Sequence, residues 1–284
     1  MPGFNRMSTY AQALLDGKVQ TCSFRKVPSQ ASVAGWWLDL SMAAGNPPPN
    51  YYASEPLVAA QLSGMRGIFH GDEISPARKF LHNFSICTPT AGLVGQYRLL
   101  DYLLYYPFVD LDSTDEQLLE NTLALPRYAS GEGVMAMMVA VTPTLGGGSF
   151  TFNYVDHEGN SKTSPTASLS TAASNIASIP TSEQATAAGG RLFLPLATGS
   201  RGIRSINSLT MIAPGGGLAA IVLVKPIAEF AIREINVASE IEYWSMRSGA
   251  PRIMDGAYLN LVMNCAATVA AGTLTGFANF AQGE

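Results

Sequence analysis

Ser149-Phe150-Thr151-Phe152-Asn153-Tyr154-Val155 alternates aromatic and polar side chains and gives the clearest strand signal in the chain. A period of two is the pattern of a half-buried β-strand. The next residues, 156–160, read Asp-His-Glu-Gly-Asn and predict a hairpin turn in which His157 is exposed. Before them, the apolar run 134–141 ends at Thr142-Pro143 and predicts a second strand paired with the first.

Further strand signals occupy the C-terminal half of the chain and are separated by turn residues. Pro214-Gly215-Gly216-Gly217 predicts a tight turn between two of them. Several short strands with such turns are typical of a sandwich or a jelly roll. The predicted strands cover residues 191–194, 203–213, 218–224, 258–263 and 268–280, while 228–237 reads either as strand or as short helix. We therefore predict an α+β chain, mainly β, with a β-sandwich or jelly-roll-like core and N-terminal helical and extended segments.

The clearest helical signals lie in the first half of the chain. Residues 1–20 predict a helix that Ser8 or Thr9 caps and Gly17 ends. A second helical pattern joins leucines at four positions, and a capping box opens a third helix. The leucines are Leu99, Leu100, Leu103 and Leu104, and the capping box is Ser113 to Glu116, followed by Leu118, Leu119 and Leu123.

The change in character near residue 127 predicts two regions. Residues 1–126 form a mixed helical and extended region with a proline-rich arm, and residues 127–284 form a β-sandwich-like domain. Within the second region, residues 161–190 are dominated by Ser, Thr and Ala. Such a segment buries little apolar area, so we expect a long loop or an extended arm.

Charged residues make up 13% of the 284 residues, about half the usual share. We infer that neighbouring subunits cover much of the surface; the alternative is a monomer coated with Ser, Thr, Asn and Gln. The net charge of −4 comes without a basic stripe, since Arg201 and Arg204 are the closest approach to one, which excludes nucleic acid as an expected partner. Asn and Gly residues interrupt the uncharged stretch 257–282, so we read it as paired strands and expect no membrane span.

The aromatic and proline residues at 36–52 are the candidate contact with a partner. Three consecutive prolines favour a stiff stretch that lies packed across a surface. The aromatic side chains beside them suit stacking on a partner or a carbohydrate, and the alternative is a local core that holds the prolines. The candidate residues are Trp36, Trp37, Pro47, Pro48, Pro49, Tyr51 and Tyr52.

No motif in the sequence predicts catalysis, a cofactor or a metal. Neither glycine run, 146–148 or 215–217, is followed by the lysine of a phosphate-binding loop. The three cysteines, Cys22, Cys87 and Cys265, are odd in number and widely spaced, which favours free thiols. Three weaker candidates remain: His70, Asp72, Glu73 and His82 as metal ligands, Cys87 with a histidine as a nucleophile pair, and Asp110 with Asp112 as an acid–base pair. Turns and core positions explain these residues more simply.

The segments 35–41, 45–52 and 125–128, with the strands up to residue 155, resemble structural proteins of tailed-bacteriophage virions. The resemblance implies a non-catalytic capsid decoration, cement or shell subunit that forms a homo-oligomer and contacts the major capsid protein. It also leaves open a tail, neck or baseplate protein that binds a receptor or glycan. Either role implies a chain that is assembled in the host cytoplasm and ends in the virion.

Overall fold

The computed structural model describes residues 4, 6–29, 31, 33–62, 66–183, 191–243, 249–265, 267–268 and 271–283. Its α-helix is α1 (Met7–Leu15), and short 3₁₀ helices cover Leu40–Met42, Ala91–Leu93 and Pro180–Ser182. Its strands are β1 (Val19–Val27), β2 (Trp37–Asp39), β3 (Ala44–Asn46), β4 (Ala60–Gln61), β5 (Arg78–Cys87), β6 (Gly95–Asp110), β7 (Gln117–Leu118), β8 (Met135–Ala140), β9 (Ser149–Asp156), β10 (Ser161–Thr163), β11 (Ala167–Ser168), β12 (Ile203–Ala213), β13 (Leu218–Ile232), β14 (Ser239–Glu242), β15 (Arg252–Ile253), β16 (Leu259–Cys265) and β17 (Leu274–Gly283).

These strands form three antiparallel sheets. The first sheet has the order β14-β5-β17-β1-β3, with β15 also paired to β5. The central sheet has the order β2-β16-β6-β13-β8, with β4 also paired to β6. The third sheet has the order β10-β9-β12-β7, with β11 also paired to β9. The predicted fold class is confirmed, because the chain is mainly β and its sheets pack as sandwiches.

The central sheet is buried on both faces. Along β13, Ala220, Val222 and Val224 belong to one apolar core, and Ala219, Ile221 and Leu223 belong to another. The first core also holds Phe24, Leu81, Phe84 and Phe280 from the first sheet. The second also holds Phe150, Phe152, Tyr154, Ile206 and Leu209 from the third sheet. The three sheets therefore stack in layers, with the central sheet shared by two cores.

The helix predicted from the leucines at 99–104 is wrong, because these residues lie in β6. Leu99 and Leu100 contact the first core, whereas Leu103 and Leu104 contact the second. A strand that is buried on both faces has no need to alternate apolar and polar residues. Its leucines therefore fall by chance at a spacing that resembles one face of a helix.

The helix predicted after Ser113 is also wrong. The chain there forms the two-residue strand β7, which pairs with β12. Leu118 is 68% exposed and Leu123 is 42% exposed, so the leucines that suggested a helix do not share a buried face. Asp110 fixes this turn instead, because its backbone N–H and carbonyl both bond to the Gln117 side chain.

Two other local predictions are confirmed in part. A helix does form near the N-terminus, but its N-cap is Arg6, which makes no side-chain capping bond. The hairpin turn after β9 also forms, and Asp156 Oδ1 accepts bonds from the backbone N–H groups of Glu158 and Asn160. The strand predicted at 134–141, however, is β8 of the central sheet, so it does not pair with β9.

The predicted division at residue 126 does not coincide with a gap between the sheets. β6, from the first region, pairs with β13 and β16 of the second, and β17 pairs with β1 and β5. The two cores, rather than the two regions, are the packing units of this fold. The uncharged stretch at 257–282 forms β16 and β17, which lie in different sheets.

The predicted arm at 161–190 is packed onto the sheets over the residues that are described, and its positions 184–190 lie outside them. Ser174 and Ser178 are buried, and Ile179 belongs to the first core. The backbone of Ala177 and Ser178 bonds to Ala140, which covers the outer edge of β8. In the described part of the chain, no helix is long and apolar enough to cross a membrane.

Truncating a side chain of the central sheet should destabilise the fold far more than truncating the same residue type on the surface. Ile221 is fully buried, whereas Ile212 is 57% exposed. We expect Ile221→Ala to lower the free energy of unfolding by about 2–5 kcal/mol, because it leaves a cavity in the second core. Ile212→Ala, the matched control, should change it by less than about 0.5 kcal/mol. Denaturant unfolding measures both, and equal losses would contradict the layered arrangement.

Candidate functional site

The two tryptophans of the predicted contact are buried within this chain. Trp36 is 5% exposed and Trp37 is 7% exposed. The backbone of Trp37 bonds to the Ser182 side chain and to the Ile179 N–H, each at 2.9 Å. The guanidinium of Arg98 lies 5.4 Å from the Trp37 ring. Both tryptophans therefore belong to the chain's own packing and leave little ring surface for stacking on a carbohydrate.

The proline stretch is fastened to the body of the protein by a buried lysine. Lys26 Nζ on β1 donates to the carbonyl oxygen of Pro47 at 2.9 Å and to that of Ala43 at 3.3 Å. Pro47 is buried, Pro49 is half-buried and Pro48 is exposed. The accessible part of this segment therefore consists mainly of Pro48 and the neighbouring Tyr51, which is 60% exposed.

Tyr52 points into a buried polar cluster centred on Asp39. Its hydroxyl donates to Asp39 Oδ2 at 2.5 Å, and the Tyr102 hydroxyl donates to Asp39 Oδ1 at 2.6 Å. Ser41 donates to the same carboxylate through its backbone N–H at 2.9 Å and its hydroxyl at 2.7 Å. Four donors thus satisfy a carboxylate that has no access to water.

Burial acts on both ionisable groups that hold this segment. It raises the pKa of the Asp39 carboxyl, and the hydroxyl donors oppose that shift. It lowers the pKa of the Lys26 ammonium to about 8, and the negative charge of Asp39 opposes that shift. The cluster links β2, β6 and the residues after the prolines. Its role is therefore to hold these segments together.

A second buried cluster joins Asp101 of β6 to Arg127. Arg127 Nε and Nη2 donate to the two carboxylate oxygens of Asp101 at 2.9 and 2.7 Å. The backbone N–H of Tyr258 donates to Asp101 as well, at 3.0 Å. Burial raises the pKa of the Asp101 carboxyl, and the Arg127 guanidinium acts in the opposite direction. This pair connects the chain after residue 126 to the start of β16.

Arg127 also borders a surface groove of about 700 Å³, whose rim includes Phe69, Asp72, Glu73 and Asp255. His70 forms part of the wall, and both of its ring nitrogens are engaged. His70 Nε2 lies 2.9 Å from the Ala257 carbonyl, and Nδ1 lies 3.0 Å from Lys79 Nζ. Because the ammonium of Lys79 only donates, Nδ1 accepts and Nε2 carries the proton.

Lys79 is the second buried lysine, and its ammonium makes three contacts. Besides His70, it donates to the carbonyl oxygens of Gly71 at 3.2 Å and Asp72 at 2.9 Å. Burial lowers the pKa of both the Lys79 ammonium and the His70 imidazole. These contacts leave neither group an open position toward the groove, so they hold its wall in place.

The remaining candidate residues are dispersed through the fold. His82 contacts Tyr10 of α1 and lies 3.4 Å from Glu242, so it is not beside His70. His157 is buried and accepts from the backbone N–H of Arg201, which corrects the exposed position expected for it. Asp110 and Asp112 belong to one turn, in which Asp110 Oδ1 accepts from the Asp112 N–H. Among the described residues, no three His, Cys, Asp or Glu side chains form a group able to hold a metal ion.

The stack of three antiparallel sheets places this chain among mainly β proteins of the sandwich class. No protein family matches it, and no curated protein matches it. A solved structure of infectious bursal disease virus, Gt strain, covers 94% of this chain and 81% of its own, with 9% identity and a TM-score of 0.17. A mutant VP2 protein of the same virus, from derived T=1 particles, covers 93% and 77%, with 10% identity and a TM-score of 0.14. Neither likeness carries an argument about what this chain does.

Removing the carboxylate charge of the buried ion pair should lower the free energy of unfolding much more than removing that of an exposed pair. Asp101→Asn leaves the Arg127 guanidinium buried and uncompensated, and we expect a loss of about 3–5 kcal/mol in the free energy of unfolding. The control is Glu132→Gln, because Glu132 and Arg201 form an exposed pair at 3.5 Å that contributes about 0–1 kcal/mol. Denaturant unfolding at neutral pH compares the two variants. Similar losses would show that Asp101 is not a buried partner.

Lys26 should make stability rise with pH in the alkaline range. Its pKa is about 8 in the folded chain and 10.5 for the free side chain. Between these values the unfolded chain binds the proton more tightly, so raising the pH favours the folded state. We expect the unfolding free energy of the wild type, relative to Lys26→Met, to increase between pH 8 and pH 10. A difference that is flat or falls over this range would contradict the lowered pKa.

Proposed function

We propose that this chain is a non-catalytic structural subunit of a virus particle. More finely, we propose a capsid-associated decoration, cement or shell subunit of a tailed bacteriophage. The observation that carries the proposal is a surface with large exposed apolar side chains and little charge. Such a surface suits contact with other protein molecules better than contact with water.

The exposed apolar side chains lie on several elements, and two of them share the third sheet. Leu15 at the end of α1 is 81% exposed, and Leu145 in the loop before β9 is 77% exposed. Leu118 on β7 and Ile212 on β12 are 68% and 57% exposed. A subunit inside a shell has neighbours on several sides, and contacts repeated by symmetry add together.

The surface is poorer in charge than the composition indicates, because several of the 17 basic and 21 acidic residues lie inside. The buried ones include Lys26, Asp39, Lys79, Asp101, Arg127 and Asp156. Each of these residues holds its charge in the interior, where it does not help to solvate the surface. Covering the remaining surface with a partner therefore costs less desolvation than it would for an average protein.

The proposed partners are other copies of this chain and the major capsid protein, or else tail or neck subunits. The contacts are made by faces of the sheets and by the exposed Pro48 and Tyr51, since the described parts of both predicted arms are packed down. The proposal includes no enzymatic activity, no cofactor, no metal, no nucleic acid and no membrane. The chain is assembled in the host cytoplasm and is carried in the virion.

A second candidate function is glycan or receptor binding by a tail, neck or baseplate protein. It is favoured by the groove in which Phe69, 54% exposed, lies beside Asp72, Glu73 and Asp255. An exposed ring flanked by carboxylates is able to stack on a sugar and accept hydrogen bonds from its hydroxyl groups. A glycan array that compares the wild type with Phe69→Ala tests it, and binding that is lost in the variant would favour this function.

The purified full-length chain should self-associate as its concentration rises. We expect light scattering and native mass spectrometry to show defined oligomers, because exposed apolar surface is buried on association. Quantitative mass spectrometry of purified particles should find hundreds of copies for a shell or cement role, and about a dozen or fewer for neck, tail tip or baseplate. A chain that stays monomeric and is absent from particles would overturn the proposal.

A further inference from the structure

The outer face of the third sheet carries no charged side chain along the middle of its two long strands; Arg204, at a bulge near the start of β12, donates to the carbonyl oxygens of Ser130 and His157. Phe150, Phe152 and Tyr154 of β9 point into the second core, so the alternate residues of β9 point outward. The register sets outward residues of β12 opposite them, with Val155 opposite Ser205, Asn153 opposite Ser208, Thr151 opposite Thr210 and Ser149 opposite Ala213. Thr163 of β10 and Leu118 of β7 continue the row that contains Asn153 and Ser208.

Polar side chains on this face are already bonded to one another. Thr163 Oγ1 donates to Asn153 Oδ1 at 2.7 Å, and Asn153 Nδ2 donates to Ser208 Oγ at 3.0 Å. Leu118, 68% exposed, lies beside Ser208 in the same row. Burying polar groups is costly when their hydrogen bonds with water are lost without replacement. Here the bonds lie within the face, so covering it leaves them intact.

A β-bulge adds an apolar side chain at one end of the face. The register of β12 with β9 shifts between Met211 and Ala213, which leaves Ile212 unpaired and 57% exposed. Bulges of this kind redirect a side chain away from regular alternation. Apolar side chains, Leu118 and Ile212, therefore flank an uncharged polar centre.

The dimensions of the face are at the lower end of what a specific contact requires. β9 and β12 have eight and eleven residues, and the edge strands β10 and β7 add three and two. At about 3.4 Å per residue along a strand and about 4.8 Å between strands, the face covers about 400 Å² per molecule. Two molecules together reach about 800 Å², the size of a weak contact. Such a contact is strengthened when symmetry repeats it in a shell.

We propose that this face is the contact between two copies of the chain, related by a two-fold axis through the outer face of the third sheet. This inference rests on the proposed structural role, and it identifies the partner as a second copy of the chain. Each copy has a net charge of −4, so a contact between copies is favoured where few like charges meet. In a two-fold contact centred on Thr151 and Thr210, the middle of the face meets its own copy without a like-charge pair.

Charges placed in the centre of the face test the contact. Thr210 lies opposite Thr151 in the middle of the sheet and is half-buried. We expect Thr210→Lys and Thr210→Glu each to weaken self-association about tenfold or more, because like charges then meet across the axis. An equal mixture of the two variants should recover association, since opposite charges now meet. Analytical ultracentrifugation of each variant and of the mixture measures this.

Ser8→Lys and Ser8→Glu are the matched controls, because Ser8 is exposed on α1, which packs against the first sheet at the other side of the stack. Both should associate as the wild type does. If the wild type associates and the Thr210 variants do so equally well, this inference fails while the proposed function stands. Weakening by both charges without recovery in the mixture overturns the two-fold arrangement. A wild type that is monomeric at every concentration overturns this inference, and the proposed function is overturned as well only if the chain is also absent from particles.

Discussion

β6 and β13 pair from Gly95 opposite Ile232 to Asp110 opposite Leu218, and over much of this length the pair is covered by apolar core on both sides. No water reaches the backbone of such a strand, so its polar groups must be paired within the sheet. A charge inside it needs a partner of its own, which Asp101 finds in Arg127. The first and third sheets each cover one face of this pair, and the fold therefore depends on it.

The same burial explains which elements the sequence predicts. β9 is buried on one face, so apolar and polar residues alternate along its sequence and the strand is predicted correctly. β6 is buried on both faces, and its long apolar run carries no period that separates a strand from a helix. The pairing of β8 with β13 rather than β9 is equally hidden, because an apolar run does not specify which strand lies beside it.

The buried clusters are hard to predict for a related reason. Asp39, Tyr52 and Tyr102 come from three separate segments, and their contact exists only in the folded chain. One local signal was available, since Asp39 and Asp101 are single acidic residues within apolar runs. A charge in such a run requires donors from elsewhere in the fold. The proline segment is anchored by Lys26, which lies in a strand whose sequence gives no sign of this contact.

Several sheet edges of this chain are closed to pairing with a strand of another molecule. An open edge pairs with almost any other strand, and that leads to aggregation. The edge of β8 is covered by backbone bonds from residues 177, 178 and 194, and β3 is followed directly by Pro47, Pro48 and Pro49, which cannot continue the ladder. The edge strands of the third sheet, β7 and β10, have two and three residues. With these edges covered, shortened or stopped by proline, the proposed contact between copies is better made through the faces of the sheets, where side chains set the register and the partner.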